Sequence, residues 1–198
     1  MTELDKREQI IAAAYEVLSK KGYDRASTKE IANEAGVAQG LINYYFSSKD
    51  MLFAEVFRRE TEKYCTSFHG LRHMQKQTLT TEVITELLEM PKRRALEDPD
   101  WLRLRYELFA IGLRNGSALP TLKEMLSQQR SSISDVIRNV GGFSDAESNI
   151  MAALLYSLIE GLGLQKMADP DFQYDEAYNM MAGMLSAFAE VLMNNKEK

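Results

Sequence analysis

The stretch Ser27–Lys49, STKEIANEAGVAQGLINYYFSSK, constrains the chain more than any other. Ser27 with Glu30 three residues on is a capping-box signature, so a helix is expected to start there. Ile31, Ala32 and Ala35 recur at helical spacing, and the small alanines admit a close neighbour. Gly36 supplies the positive φ that ends a helix, and Val37 plugs the corner. A second short helix is expected from Gln39 to Tyr45, and a third opens after Lys49. Two short helices set steeply around a glycine turn make a helix-turn-helix, whose second member enters a DNA major groove. An ordinary helical corner is the competing reading.

The segment GVAQGLINYYFSSKDML resembles the DNA-binding signature of the TetR-type transcriptional repressors, most nearly the choline-responsive BetI-like branch. The Ile31-Ala32 pair, the Ala35-Gly36-Val37 turn, Gly40, the Tyr45-Phe46 close and Lys49 carry the resemblance, over about the first quarter of the chain. Ala38 departs from it. The family usually has serine or threonine there as helix cap, and alanine forgoes about 1 kcal/mol. The resemblance turns Gln39, Gly40, Asn43 and Tyr44 toward the groove. Glutamine and asparagine can each bond bidentately to adenine, and Gly40 lets the backbone approach. Ser27, Thr28, Lys29, Tyr45 and Lys49 are candidates for phosphate, with packing in the head the competing role for Tyr44 and Tyr45. The family usually has an aromatic where Asn43 stands, so base preference should differ from that of its relatives.

Charge argues weakly. The net is −5, and residues 1–63 hold ten Lys+Arg against eleven Asp+Glu. DNA binding needs positive charge at the contact surface, not over the whole chain. Lys29 and Lys49 flank the recognition helix, and Glu30 and Glu34 partly offset them. Salt-dependent, modest non-specific affinity is expected.

The remainder predicts an all-α chain of about nine helices. A three-helix head continues through a helix into a larger helical domain for ligand binding and dimerisation. The expected division is residues 1–50 for the DNA-binding domain and 51–198 for the effector-binding and dimerisation domain. Helix 1 is expected over Asp5–Lys21, stopped by Gly22, with Tyr23 packing back on the head. Helix 4 should run from a cap at Ser47 or Ser48 to about His69, without a flexible linker. Helix 5 is expected over Thr81–Leu96 with a kink or break at Pro91. Helix 6 should follow Asp98-Pro99, and helix 7 should run from Pro120 to Val140. Ser144 with Glu147 caps helix 8, and helix 9 covers Tyr174–Met193, with a fraying tail.

Helices 8 and 9 are apolar on more than one face, so something besides their own core must cover them. A two-helix face from each subunit would make a four-helix bundle homodimer, the arrangement the family uses. Two core helices of a monomer are the alternative. The run Ile150–Ile159 falls short of the roughly 20 residues of a membrane span, and the charged N-terminus lacks a signal-peptide core. No membrane partner and a cytoplasmic location are therefore expected.

Trp101, Tyr106, Phe109, Met125 and Tyr156, with methionines of helix 9, are candidates for an effector pocket. Glu160 interrupts an apolar stretch and needs either an arginine such as Arg105 or Arg114, or a cationic ligand. Cys65, His69 and His73 fall at i, i+4 and i+8. Adjacent members could share a metal, while the outer two, about 12 Å apart on a straight helix, could not. No cofactor and no enzyme signature are expected. The reading is thus a repressor that binds a palindromic operator as a homodimer and is released by a small, largely apolar ligand, cationic if Glu160 faces it. A metal sensor using Cys65, His69 and His73, an enzyme on a helical fold, and a protein-binding helical adaptor are the alternatives.

Overall fold

The computed structural model describes residues 3–67, 78–114, 116 and 119–196. Among these residues the chain is all helical, with nine helices. They are α1 (Glu3–Lys21), α2 (Thr28–Glu34), α3 (Gln39–Tyr45), α4 (Lys49–Ser67), α5 (Thr81–Glu97), α6 (Pro99–Arg114), α7 (Leu119–Gly141), α8 (Asp145–Ala168) and α9 (Tyr174–Lys196). Two compact units emerge. Unit 1 comprises residues 1–64 and 100–127, and unit 2 comprises 65–99 and 128–198. Packing therefore groups α6 and the start of α7 with the N-terminal helices, whereas the expected functional division falls at residue 50.

Local chemistry sets the boundaries. The Ser27 hydroxyl accepts the Glu30 N–H while the Glu30 carboxylate accepts the Ser27 N–H, closing the capping box of α2. Ser144 and Glu147 do the same for α8. Of the two serines before α4, Ser48 is the cap, its hydroxyl accepting the Met51 N–H at 3.2 Å. Gly22 and Gly36 lie at φ 76° and 62°, conformations that cost residues with a Cβ about 1–2 kcal/mol. Pro91 does not break α5, which runs through it unbroken, with the proline ring buried. The proline lacks the N–H that would bond Leu87, and its burial on the apolar face of α5 offsets that loss. α9 extends beyond the expected Met193 to Lys196.

The core of unit 1 joins Ile10, Ala14 and Leu18 of α1 to Ile31, Ile42, Leu52, Val56 and Phe57. Trp101, Leu104 and Leu108 of α6 and Leu122 and Met125 of α7 complete it. The Trp101 ring lies 4.9 Å from Phe57 and 6.4 Å from Tyr15. Gly112 is required where α6 meets α7, because a Cβ there would stand 2.8 Å from Leu122. The ion pairs Arg7–Glu55 and Arg59–Glu8 lace α1 to α4, and the guanidinium groups of Arg58, one turn along α4, and of Arg7 hold the Glu55 carboxyl below its usual range, Arg58 foremost.

Unit 2 packs α5 against α8 and α9 through Ile84, Leu88, Ile159, Tyr174, Tyr178 and Met181. The opposite faces of α8 and α9 are apolar and uncovered. Ile150 is 65% exposed, Leu154 57%, Met180 71% and Met184 63%, with Leu158, Phe188 and Val191 also open. An 18-residue stretch of the 24-residue α8 reaches a mean hydropathy of 1.2, enough by length and composition alone to cross a membrane, a test that the core helix of a soluble protein also passes. Its buried side packs as a core helix does, with Met151, Ala152, Tyr156 and Ile159 turned inward.

Candidate nucleic-acid interface

α3 is two-faced. Ile42 is buried, and Leu41 and Tyr45 pack on the core of unit 1. Gln39, Gly40, Asn43 and Tyr44 face outward, and Tyr44 is 70% exposed. Tyr44 stacks edge-on against Tyr45, ring centroids 5.1 Å apart, so the inner ring orients the outer one. Ala38 gives α3 no side-chain cap, as expected. Instead Gln39 donates its amide to the Thr28 hydroxyl at 3.3 Å, bridging α3 to the start of α2. Gly36 keeps its positive φ with open space around it, so the turn needs glycine for its backbone conformation, not for room.

The flanking candidates divide. Ser27 and Lys29 are exposed, and Thr28 is half-buried. Lys49 is half-buried, and its ammonium sits 4.1 Å above the Tyr23 ring while donating to the Tyr23 carbonyl. Its charge thus holds the loop between α1 and α2. Glu30 is engaged as well, because Lys21 donates to it at 2.5 Å. The Lys21 bond, then the Ser27 hydroxyl and N–H, lower the Glu30 carboxyl to about 2 from 4.5.

A depressed carboxyl contributes stability above its unfolded pKa and loses it as pH falls through the folded value. The Glu30 contribution should therefore be full above about pH 4.5 and vanish toward pH 2. In urea titrations across that window, Glu30→Gln should give a flatter stability curve than the parent. Parallel curves would refute the assignment.

Tyr23 packs back on the head as expected, and it also ties neighbouring elements together. Its hydroxyl donates to Asp50 at the start of α4, and its ring packs 4.6 Å from Phe53. Its N–H donates to the Glu107 carboxylate of α6 at 2.7 Å. Burial, then the Asp50 bond, push its phenol well above the ordinary tyrosine range, so it remains a neutral donor. The sequence placed Tyr23 against the head but gave no sign of Asp50 or Glu107 as its partners.

The effector candidates fall in both units. Trp101 and Met125 are 2% and 3% exposed within the core of unit 1. Tyr106 and Phe109, also of unit 1, stack edge-on at 5.7 Å. Tyr156 is buried in unit 2, and Glu160 there is half-buried with both carboxylate oxygens withdrawn from solvent. None of these six lines the apolar cavity of unit 2, which lies among Ile84, Leu88, Ile133, Val136, Leu155 and Ile159. Of the metal candidates, Cys65 is half-buried, and His69 and His73 lie outside the described residues.

A recognition-sized helix with one face locked in a core and the other presenting amide, phenol and glycine defines a helix-turn-helix DNA-binding protein. The family described as bacterial regulatory proteins, tetR family, matches residues 10–56, which span that head. The HTH-type transcriptional regulator PksA of Bacillus subtilis is 26% identical over 175 residues, 83% of this chain and 80% of PksA. The regulator BetI of Vibrio vulnificus is 24% identical over 176 residues, 84% of this chain and 83% of its own. Among solved structures, a transcriptional regulator from Pseudomonas aeruginosa PAO1 superposes with a TM-score of 0.77. It is 21% identical and covers 96% of this chain and 93% of its own. Residues 10–56 thus form a tetR-family DNA-binding head, and over most of its length the chain is similar to TetR-type transcriptional regulators, which are DNA-binding proteins and not enzymes.

Proposed function

We propose that the protein is a repressor that binds a palindromic operator as a homodimer and leaves it when a small, largely apolar molecule occupies unit 2. The outward set Gln39, Gly40, Asn43 and Tyr44 on a core-locked α3 carries the reading of bases. Ser27, Thr28 and Lys29 at the start of α2, with Tyr45 and Lys49, hold the head on phosphate. Two heads must meet successive major grooves about 34 Å apart, which a dimer through α8 and α9 would provide. The functional division remains a DNA-binding part at 1–50 and an effector-binding, dimerising part at 51–198. The chromosome places such a protein in the cytoplasm. Trp101 and Met125 serve the core of unit 1, so the cavity of unit 2 is the better seat for an effector than the aromatic set.

Gel shifts on the DNA upstream of its own gene, repeated at several salt concentrations, test the division of roles. Asn43→Ala should relax discrimination between operator and random DNA by about 1–3 kcal/mol. Lys29→Ala should weaken both alike and lower the salt slope by about one. Lys49→Ala should do the same and also lower the melting temperature, because its ammonium holds Tyr23. Equal losses on both DNAs for Asn43→Ala would remove α3 from base reading.

A further inference from the structure

We infer that the molecule received by unit 2 enters it as an uncharged aliphatic chain, a class of ligand that rests on the effector-released reading above. The cavity among α5, α7, α8 and α9 measures about 80 Å³. Its thirteen described lining residues are all Leu, Ile, Val, Met or Pro. The space exceeds the roughly 30 Å³ that one water occupies in the liquid, so it is more than a packing flaw. Water inside would find no side-chain partner among them, so an apolar occupant that displaces it is favoured.

The lining also discriminates against other ligands. A quaternary ammonium is held by the faces of aromatic rings, and the described lining presents none. The neighbouring rings Tyr174 and Tyr178 stack on each other at 4.9 Å, outside the lining. A charged group in the cavity would lose its hydration without compensation. A narrow aliphatic space instead favours methylene after methylene. Leu79 lines both this cavity and a wider open cleft of about 570 Å³ bearing Thr78, Glu190 and Asn194. A molecule with its hydrocarbon end inside and its polar end in the cleft would satisfy both surfaces, with Leu79 bordering each.

The test titrates the full-length protein calorimetrically with straight-chain alcohols from butanol to decanol, with choline and tetramethylammonium as cationic comparators. Affinity should rise about fourfold per added methylene and flatten once the chain fills the cavity. Leu155→Phe, which fills the space from within, should abolish alcohol binding. Should that variant fold poorly, Ile84→Val enlarges the cavity and should move the plateau to longer chains. Alcohol binding without length dependence, or a cation binding more tightly than butanol, would overturn the inference. Length-dependent binding that leaves operator affinity unchanged supports the aliphatic site and refutes effector release. Operator binding without any alcohol binding refutes the aliphatic site and leaves the regulator intact.

Discussion

Ala187→Glu should convert the protein to monomers and bring operator binding down into roughly the 10 µM range or weaker. Ala187 is exposed on α9 beside Met184, Phe188 and Val191, and α8 continues the same uncovered apolar surface with Ile150, Leu154 and Leu158. A contiguous apolar surface of this kind is what a partner buries. In a two-fold interface every substitution occurs twice, so one change introduces two carboxylates. Withdrawing each from water without a partner costs several kcal/mol. Losing one of two heads removes about half of the specific binding free energy, which turns a roughly nanomolar complex into one of about 30 µM. Sedimentation velocity at micromolar concentration measures the assembly, and gel shifts measure the consequence. A parent protein that sediments as a monomer, or a variant that stays dimeric, would end the proposal of a dimer through α8 and α9.

Trp101→Ala should destabilise the protein by about 3–5 kcal/mol, a large part of the 5–15 kcal/mol that holds a typical domain together. The indole is 2% exposed and packs on Phe57 and Tyr15, so its loss leaves a cavity bordered by α1, α4 and α6. Because the same unit carries α3, operator binding should fail together with the fold. Trp101→Phe keeps most of the apolar volume and should recover most of the stability. Thermal melts followed by circular dichroism decide the matter: a Trp101→Ala variant melting within about 2 °C of the parent would show that the indole contributes little. Tryptophan fluorescence, with Trp101 the sole tryptophan, accordingly reports on the packing of unit 1.

What the sequence disclosed was local. The Ser27–Glu30 and Ser144–Glu147 boxes, the Gly36 turn and the bounds of α3 follow from contacts three or four residues apart, and all stand where spacing put them. The two-sided apolar character of α8 and α9 was legible for the same reason, because periodicity reports how many faces avoid water. Distant pairings were not legible. Glu107 meets Tyr23 across 84 residues, and no pattern in α6 announces it. Trp101 resembles a ligand-binding aromatic in composition, and only its packing against Phe57 reveals a core residue. The aliphatic cavity escaped because leucine, isoleucine and valine look alike whether they border a void or fill one. At Pro91 the general rule anticipated a kink or a break, and the burial of that face of α5 overrode the break.

The bond between Tyr23 and Glu107 bears on how such a protein could be re-engineered. A graft cut at residue 50 would carry a foreign α1–α2 loop into the reach of the Glu107 carboxylate. Gly22 lies at φ 76°, so a donor loop with any larger residue there would strain the backbone and push the Glu107 carboxylate aside. A transplant that also takes residues 100–127 would move the reading head with its seat, and would be expected to keep its operator on a new body.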